Sequence, residues 1–591
     1  MSSFYDDASL VVIPSGYKTS KIYAEKPTDG SGDLTFTRAS GATRVASNGL
    51  IEKVRTNLAL YSEDQTNWTD QNQTSVTANA AANPLNGAVT ADKVIPSTAT
   101  DDHYRGLSMG SIIGEFTSSI YVKADGYSII DYGVFNSTAS NYPVRAVFDL
   151  STQTITQING SISSITSVGS GWYRISVTAS VASTSTMGIY HRVRSTGTSG
   201  NYAGDGTSGM LLWGCQLESG VITPYIGPTT TAAVSVGPVS NIPRLDYLGS
   251  SCPRLLLEPQ RTNIVRQSET FDGVTWTKYN GSTVTANTVI SPDGTQNADT
   301  LTVSTTVYSG LYQLISGAAG NYVVSIFAKK GTKNWLYMFD HSAAGQAWFN
   351  LDTGTIGSVN TGYTATITPY GNGWFRCTMY RNSGGTPGYF QIGLSDANEV
   401  STPTSTGTAH IWGAQCEAGN YATSYVPTTS ASVTRVADAA SKTGISSLLS
   451  ASEYTLFWEG THIPTGQFNS FMTIYNAANN AFSARFYRNN TNNEVRATMF
   501  NPSTSFSLDM GSGITASYIK CALRVKAGNY AFYVNGSLVN SSTNALAPSN
   551  ILDSVNLQFY GSSQSFDQNT AQALFFKTGL TNAQLAELTT L

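Results

Sequence analysis

The chain has 591 residues, a formal net charge of −4, 40% hydrophobic and 11% aromatic residues, and only 12% charged ones. The aromatic share excludes a disordered chain, which lacks the apolar mass to offset chain entropy, and so small a charge leaves no basic stripe for nucleic acid. No apolar run reaches the ~20 residues that cross a bilayer, so no membrane insertion is expected, and the length suggests about three to five domains. In chain order, Met1 to Asp7 has neither the basic nor the apolar region of a secretory signal. A product made in the cytoplasm that leaves by another route is expected. Residues 1–54, with Asp33-Leu34-Thr35-Phe36-Thr37-Arg38-Ala39, read as an extended arm too small to bury a core alone.

An internal repeat follows. Arg55-Thr56-Asn57-Leu58 recurs about 200 residues later as Arg261-Thr262-Asn263-Ile264. In the same order, Trp68 recurs as Trp276, Ala91-Asp92 as Ala298-Asp299, and Gly171-Trp172-Tyr173-Arg174 as Gly373-Trp374-Phe375-Arg376. Trp213-Gly214-Cys215-Gln216-Leu217-Glu218 recurs as Trp412-Gly413-Ala414-Gln415-Cys416-Glu417, and Thr223-Pro224-Tyr225 as Thr423-Ser424-Tyr425. Residues 55–228 and 261–427 are therefore copies of one unit, the second extending to 436, with linker strands at 229–260. Segments such as Trp172-Tyr173-Arg174-Ile175-Ser176-Val177 alternate with period two and are bounded by Gly, Asn and Ser turns, and helical periodicity is absent. The fold expected is all-β: tandem jelly-roll-like β-sandwiches. Residues 437–591 differ. Tyr530-Ala531-Phe532-Tyr533-Val534, Asn535-Gly536 and Ser537-Leu538-Val539 spell a hairpin, because a type I′ turn needs positive φ at both central residues. Thr581-Asn582-Ala583-Gln584 spells a capping box before a short terminal helix.

Residues that recur read as scaffold, so the four tryptophans Trp172, Trp213, Trp374 and Trp412 are expected in the core, and Arg174 and Arg376 at a sandwich edge. Aromatic residues that do not recur carry the candidate site: Tyr308, Tyr312, Trp335 and Tyr337 in the second copy, with His103, Tyr104, Tyr190 and His191 in the first. Rings on an open sheet face stack on sugar faces while polar neighbours read hydroxyls. The five cysteines form no CxxC pair and are odd in number, so buried free thiols are expected rather than disulfides or zinc. Catalytic signatures are lacking. Asp340-His341-Ser342 sets three triad residue types side by side, but neighbours in a strand point to opposite faces. No catalytic residue is assigned.

Two stretches resemble a signature of tailed-phage virion proteins: Phe36-Thr37-Arg38-Ala39-Ser40-Gly41-Ala42-Thr43-Arg44-Val45 with Asn48-Gly49-Leu50-Ile51-Glu52, and Asn241-Ile242-Pro243-Arg244-Leu245-Asp246-Tyr247 with Leu257-Glu258-Pro259-Gln260-Arg261-Thr262-Asn263. In that family the two halves lie close together, whereas here a sandwich is inserted between them. The last 150 or so residues resemble concanavalin-like, laminin-G-like sandwiches through Tyr533-Val534-Asn535-Gly536 and Leu580 to Leu588. The resemblance implies a head or tail fibre, decoration or receptor-binding subunit, made in the host bacterial cytoplasm and displayed on the particle exterior. It implies carbohydrate-binding-module-like folds, contact with a bacterial surface glycan or other virion proteins, and no chemistry. A homotrimer anchored by the arm is expected, and a surface-polysaccharide depolymerase is the enzymatic alternative. Related modules hold a structural calcium between first and last strands, near where Glu63, Glu218, Glu269 and Glu417 recur here, but no DxDxDG run accompanies them. No cofactor is expected.

Overall fold

A computed structural model describes residues 2–160, 162–197, 200–342, 344–381, 384–450, 452–463, 469–477, 483–501, 506–544, 552–557 and 568–591. It is nearly all β and divides into two compact units, residues 54–237 and residues 1–53 with 238–591.

The second copy of the repeat is a sandwich of two six-stranded antiparallel sheets. The first runs Thr277–Tyr279, Gly310–Leu314, Tyr389–Ser395, Trp335–Asp340, Gly345–Asn350, Thr355–Val359. The second runs Thr283–Val289, Ala298–Val303, Gly407–Ala418, Tyr322–Lys330, Trp374–Arg381, Tyr363–Pro369. Alternation sorts each strand. In Trp335–Asp340, Leu336 and Met338 enter the core beside Leu311, Ile392 and Phe349, while Tyr337 and Phe339 take the outer face.

The first copy has the same strand order. Asp70–Asn72, Tyr104–Asp125, Trp172–Arg194, Ile129–Asn136, Asn141–Asp149 and Thr154–Asn159 form one series. Thr74–Ala82, Val89–Pro96, Gly209–Ser219, Tyr104–Asp125, Trp172–Arg194 and Ile162–Gly169 form the other. Here two long strands replace four of the second copy, pairing from Tyr104↔Arg192 to Lys123↔Trp172 through two register shifts.

The recurring residues hold this scaffold. Asn57 and Asn263 each donate from Nδ2 to two carbonyls, those of Cys215 and Ile226 at 3.0 and 2.8 Å and of Ala414 and Val426 at 3.1 and 2.9 Å. Asp92 accepts the backbone N–H groups of Gln65 and Asn79 at 2.7 and 2.8 Å, and Asp299 those of Phe271 and Asn287 at 2.8 and 2.9 Å. Arg174 and Arg376 donate to the Thr223 and Thr423 carbonyls at 2.6 Å each. In the closing strand Gln216 donates to Glu218 at 2.7 Å and Gln415 to Glu417 at 2.8 Å, and each glutamate also accepts the N–H and hydroxyl of Thr223 or Thr423. Glu63 and Glu269 accept from the Tyr225 and Tyr425 hydroxyls at 3.0 and 3.1 Å. Trp172, Trp213, Trp374 and Trp412 are buried, in clusters with those tyrosines beside the main cores.

The third sandwich departs from expectation at its edges. One sheet runs Leu245–Asp246, Arg254–Leu257, Gln568–Phe576, Glu453–His462, Tyr518–Lys526, Tyr530–Val534, Ser537–Ser542, with Leu10–Val12 also paired to Gln568–Phe576. The other runs Tyr17–Lys18, Lys21–Ile22, Leu34–Thr37, Ala439–Thr443, Ser554–Asn556, Asn469–Tyr475, Ser483–Arg488, Val495–Asn501, Phe506–Gly511. The first 53 residues are therefore not an arm. Leu10, Val12, Ile22, Leu34 and Phe36 are buried in this core, because strands too short to bury apolar faces alone bury them against a larger sheet. The 229–260 segment is likewise no mere linker, since Leu255 and Leu257 join the same core. The hairpin forms as read, with Asn535 and Gly536 at φ 50° and 83° between paired strands. So does the capping box at Thr581 and Gln584, opening the helix Asn582–Thr589. Four cysteines are buried free thiols, whereas Cys252 is exposed in a turn.

The two signature halves meet. Arg38 from the first donates to Asp438 at 2.9 Å and to the Pro238 and Val239 carbonyls at 2.9 and 2.8 Å. Arg244 from the second donates to Glu258 at 2.6 Å, to the Thr43 carbonyl at 3.1 Å and to Asp438. Arg435 bridges to Glu258 at 2.6 Å, and the Ser424 N–H and hydroxyl donate to the same carboxylate at 2.6 Å each. All five charged side chains are buried. Burial would raise the Glu258 pKa, but the paired Arg435 and Arg244 and the Ser424 donors outweigh it and hold the carboxyl below its usual range.

Candidate ligand face on the second sandwich

The outer face of the first sheet of the second copy is aromatic. Cross-strand registration aligns Thr277, Tyr312, Gln391, Phe339 and Gln346 in one row. The next row is Tyr279, Gly310, Gly393, Tyr337 and Trp348. Glycine at 393 is required, because a Cβ there would collide with the Tyr337 ring.

Six rings follow one another in an unbroken arc. Tyr308 stacks on Phe339 at 5.6 Å and 19°, Phe339 meets His341 at 5.6 Å, and His341 meets Tyr389 at 5.2 Å. Tyr389 meets Tyr312 edge-on at 5.0 Å, and Tyr312 meets Tyr279 at 5.6 Å. Tyr308 and His341 are exposed and the other four half-buried. Polar atoms edge the arc, with Gln391 donating to the Tyr279 hydroxyl at 2.5 Å.

Beside Phe339 and Tyr389 a cleft opens between the sheets, with Tyr322, Tyr363 and Pro387 on its walls and Met379 and Cys416 deeper in. Asp340 reaches into it, accepting the Tyr363 hydroxyl at 2.9 Å and Arg381 Nη1 at 3.2 Å. Burial and the Asp340 carboxylate push the Tyr363 hydroxyl up to about 12, so it stays a donor across the physiological range. Asp340 and His341 thus point to opposite faces, as their adjacency in a strand requires.

Of the four residues singled out in the second copy, the structure brings Tyr308 and Tyr312 into the arc. Tyr337 lies on the same face but is fully buried, so its ring is not presented to a ligand. The loop after Tyr389–Ser395 crosses this end of the sheet, where Tyr308 N–H donates to Ser401 and Trp348 Nε1 to Val400. Trp335 shares the face but stands beyond Tyr337, half-buried, its ring over Gly357. Sequence reasoning missed Tyr279, Phe339, His341 and Tyr389. Period two from Trp335 and Tyr337 reaches Phe339 and His341, while nothing local marks Tyr279 or Tyr389.

No family model matches the chain and no curated protein matches it. Solved structures resemble parts of it. A carbohydrate-binding module (CBM40) of a Ruminococcus gnavus IT-sialidase, bound to α2,3-sialyllactose, is 14% identical, covers 24% of this chain and 84% of its own, and has a TM-score of 0.21. A tandem pair of CBM22 modules from Paenibacillus barcinonensis Xyn10C is 12% identical, covers 65% of this chain and 99% of its own, and has a TM-score of 0.20. At these scores the likeness assigns this chain neither a family nor a ligand.

Proposed function

We propose that this chain is a non-catalytic binding protein of a tailed-phage particle, a head or tail fibre or decoration subunit that holds a host surface glycan against the second sandwich. The observation that carries the binding half is the unbroken arc from Tyr308 to Tyr279 on one sheet face. Sugar rings present apolar faces and hydroxyl edges. Rings with two χ angles stack on the former at little entropic cost, and an amide on the same face such as Gln391 can bond the latter. The particle half is supported by the resemblance of residues 36–52 and 241–263. Single sugar sites are weak, so avidity makes a homotrimer the expected assembly.

The test is capture of host surface polysaccharide by the purified chain and by Tyr312→Ala and Tyr389→Ala, with labelled antibody locating the chain on intact particles. Capture lost in both variants, with folding retained, supports the face. Undiminished capture, or no capture alongside firm binding to another virion protein, sends the arc to a structural role. Released saccharide ends would replace the reading with a depolymerase, and a monodisperse monomer at micromolar concentration would remove the trimer.

A further inference from the structure

The corresponding sheet of the first sandwich has the same outer face with different chemistry. Registration sets Tyr104, Arg192 and Asp131 in one row, and Gly106, Tyr190, Gly133 and Arg145 in the next. Glycine is again needed under the ring, since a Cβ at Gly106 would collide with Tyr190. Around Tyr190 the rings of Phe135, Tyr142 and Tyr104 lie at 6.0, 6.3 and 6.1 Å. The strands of the second sandwich carry no Arg, Lys, Asp or Glu on this face. The first sandwich carries two guanidiniums there, stacked on tyrosines. Arg192 lies 5.5 Å from the Tyr104 ring and 5.7 Å from that of Tyr142, and Arg145 lies 5.2 Å from Tyr142.

Protein acceptors occupy these guanidiniums only in part. Asp131 takes Arg145 at 2.8 and 2.5 Å and Arg194 at 2.7 Å. Asp102 takes Arg192 Nε at 3.0 Å, and Tyr142 takes Arg192 Nη2 at 3.1 Å. Asp70, on the edge strand, is engaged by the Tyr190 hydroxyl. Arg192 Nη1 is shielded from solvent and has no acceptor among the described residues. Side-chain exposures of 23% for Arg145 and 11% for Arg192 leave part of each side chain open to a ligand oxyanion.

We propose that this face is a second glycan site, selective for a carboxylate-bearing sugar unit, so that one chain carries a neutral and an acidic specificity on corresponding sheets. The proposal rests on the reading of the chain as a glycan binder. Tyr142, Tyr104 and Tyr190 stack on the sugar ring, while Arg192 and Arg145 donate to the carboxylate. Arginine suits this role because its planar fork matches a carboxylate and can stack on a ring at the same time.

The experiment measures retention of the full chain on immobilised polygalacturonate, its fully methyl-esterified form and neutral dextran. Esterification removes the charge from the probe and leaves the protein untouched, so the result does not depend on whether a variant folds. The expected outcome is retention on the acid that falls at least about tenfold on the ester, the loss of one charged hydrogen bond. Arg192→Gln is expected to reproduce that fall, and Tyr389→Ala in the other sandwich to leave it unchanged. The chain's net charge of −4 disfavours indiscriminate capture of a polyanion. Equal retention on acid and ester, none on either, or loss of acid binding in Tyr389→Ala would overturn the proposal. These failures are separable from failure of the neutral site, which is read by Tyr312→Ala and Tyr389→Ala on host polysaccharide.

Discussion

At the scale of single residues, recurrence separates scaffold from surface. Residues that repeat between the copies, such as Asn57 and Asn263 or Asp92 and Asp299, bond to backbone and fix strand ends. Residues that differ, such as Arg192 or Tyr389, sit on the outer faces. That division was legible in the sequence for Tyr308 and Tyr312, but not for Arg192 or Tyr389, and it fails for His103 and His191, which do not recur and are buried. Which ring lies under a loop was not legible, because Tyr337 and Tyr312 belong to similar strands and only the crossing loop near Val400 distinguishes their ends. Tyr337→Ala should therefore cost about 3–5 kcal/mol, as for other large buried rings, and Tyr389→Ala should cost far less while reducing glycan capture. Urea unfolding of the two variants beside wild type checks this, and equal destabilisation would place Tyr389 in the core. His191 makes a second case. Burial against Trp68 and Gln65 drops it from 6.5 to about 3. The unfolded chain takes up a proton below about pH 6.5 that the folded chain refuses until about pH 3. Stability should therefore fall with acidification across that window by up to about 1.4 kcal/mol per pH unit. Buried His462, also held at about 3, adds the same slope in the other unit. The lowered carboxylate Asp131 contributes above its unfolded value and loses that contribution only below about pH 4. His191→Gln should thus flatten the melting temperature of the first sandwich between pH 6.5 and 4. An unchanged slope would show that His191 titrates freely.

At the scale of elements, local signals were read correctly and distant pairings were not. The Asn535-Gly536 turn and the Thr581 capping box need only neighbouring residues. The strand Leu10–Val12 pairs with Gln568–Phe576 at the other end of the chain, as Leu10↔Phe575, and no local pattern encodes such a partner. The resemblance did mark Arg38, Arg244 and Glu258, and the structure supplies the physical reason. Three short segments that cannot hold together through apolar area are tied by charge-assisted hydrogen bonds converging on two carboxylates. Removing one partner from a buried ion network leaves another buried charge uncompensated, at about 3–5 kcal/mol. Arg244 touches both carboxylates and the Thr43 carbonyl. Arg244→Met should accordingly lower stability by that amount in the unit formed by residues 1–53 and 238–591, and leave unfolding of residues 54–237 unaltered. Denaturation followed separately in the two units decides it. A neutral or stabilising result would mean that apolar packing already holds the segments, as happens when buried ion networks are replaced whole.

At the scale of the molecule, the repeat was legible because duplicated strands keep their residue types, and the insertion was legible because it interrupts a signature. The sequence could not say whether the interrupted halves still meet, since that depends on where the inserted unit begins and ends in space. Residues 54–237 leave and re-enter the chain through one antiparallel pair, Arg55–Asn57 with Val234–Val236, registered Arg55↔Val236. Paired residues of such a ladder have Cα atoms about 4.5–5.5 Å apart, close to the 3.8 Å of one peptide link. The second copy is bounded by an equivalent pair, Arg261–Asn263 with Val433–Arg435. The inserted sandwich has its own core, from Trp68 through Phe148 to Leu217, and the Asn57 bonds that fasten its ends lie inside it. The described residues of that core all lie within residues 54–237. Joining Lys53 directly to Pro238 should therefore leave a folded protein that keeps the Arg38–Asp438 and Arg244–Glu258 pairs and the aromatic arc. Residues 54–237 alone should melt cooperatively. Calorimetry of the full chain and both pieces tests this: each piece should show a transition within a few degrees of one in the full chain. If either piece lacks a cooperative transition, the two units fold as one. If the joined protein folds but captures no host polysaccharide, while Tyr312→Ala and Tyr389→Ala in the full chain are also inert, ligand binding belongs to the inserted sandwich and the arc is scaffold.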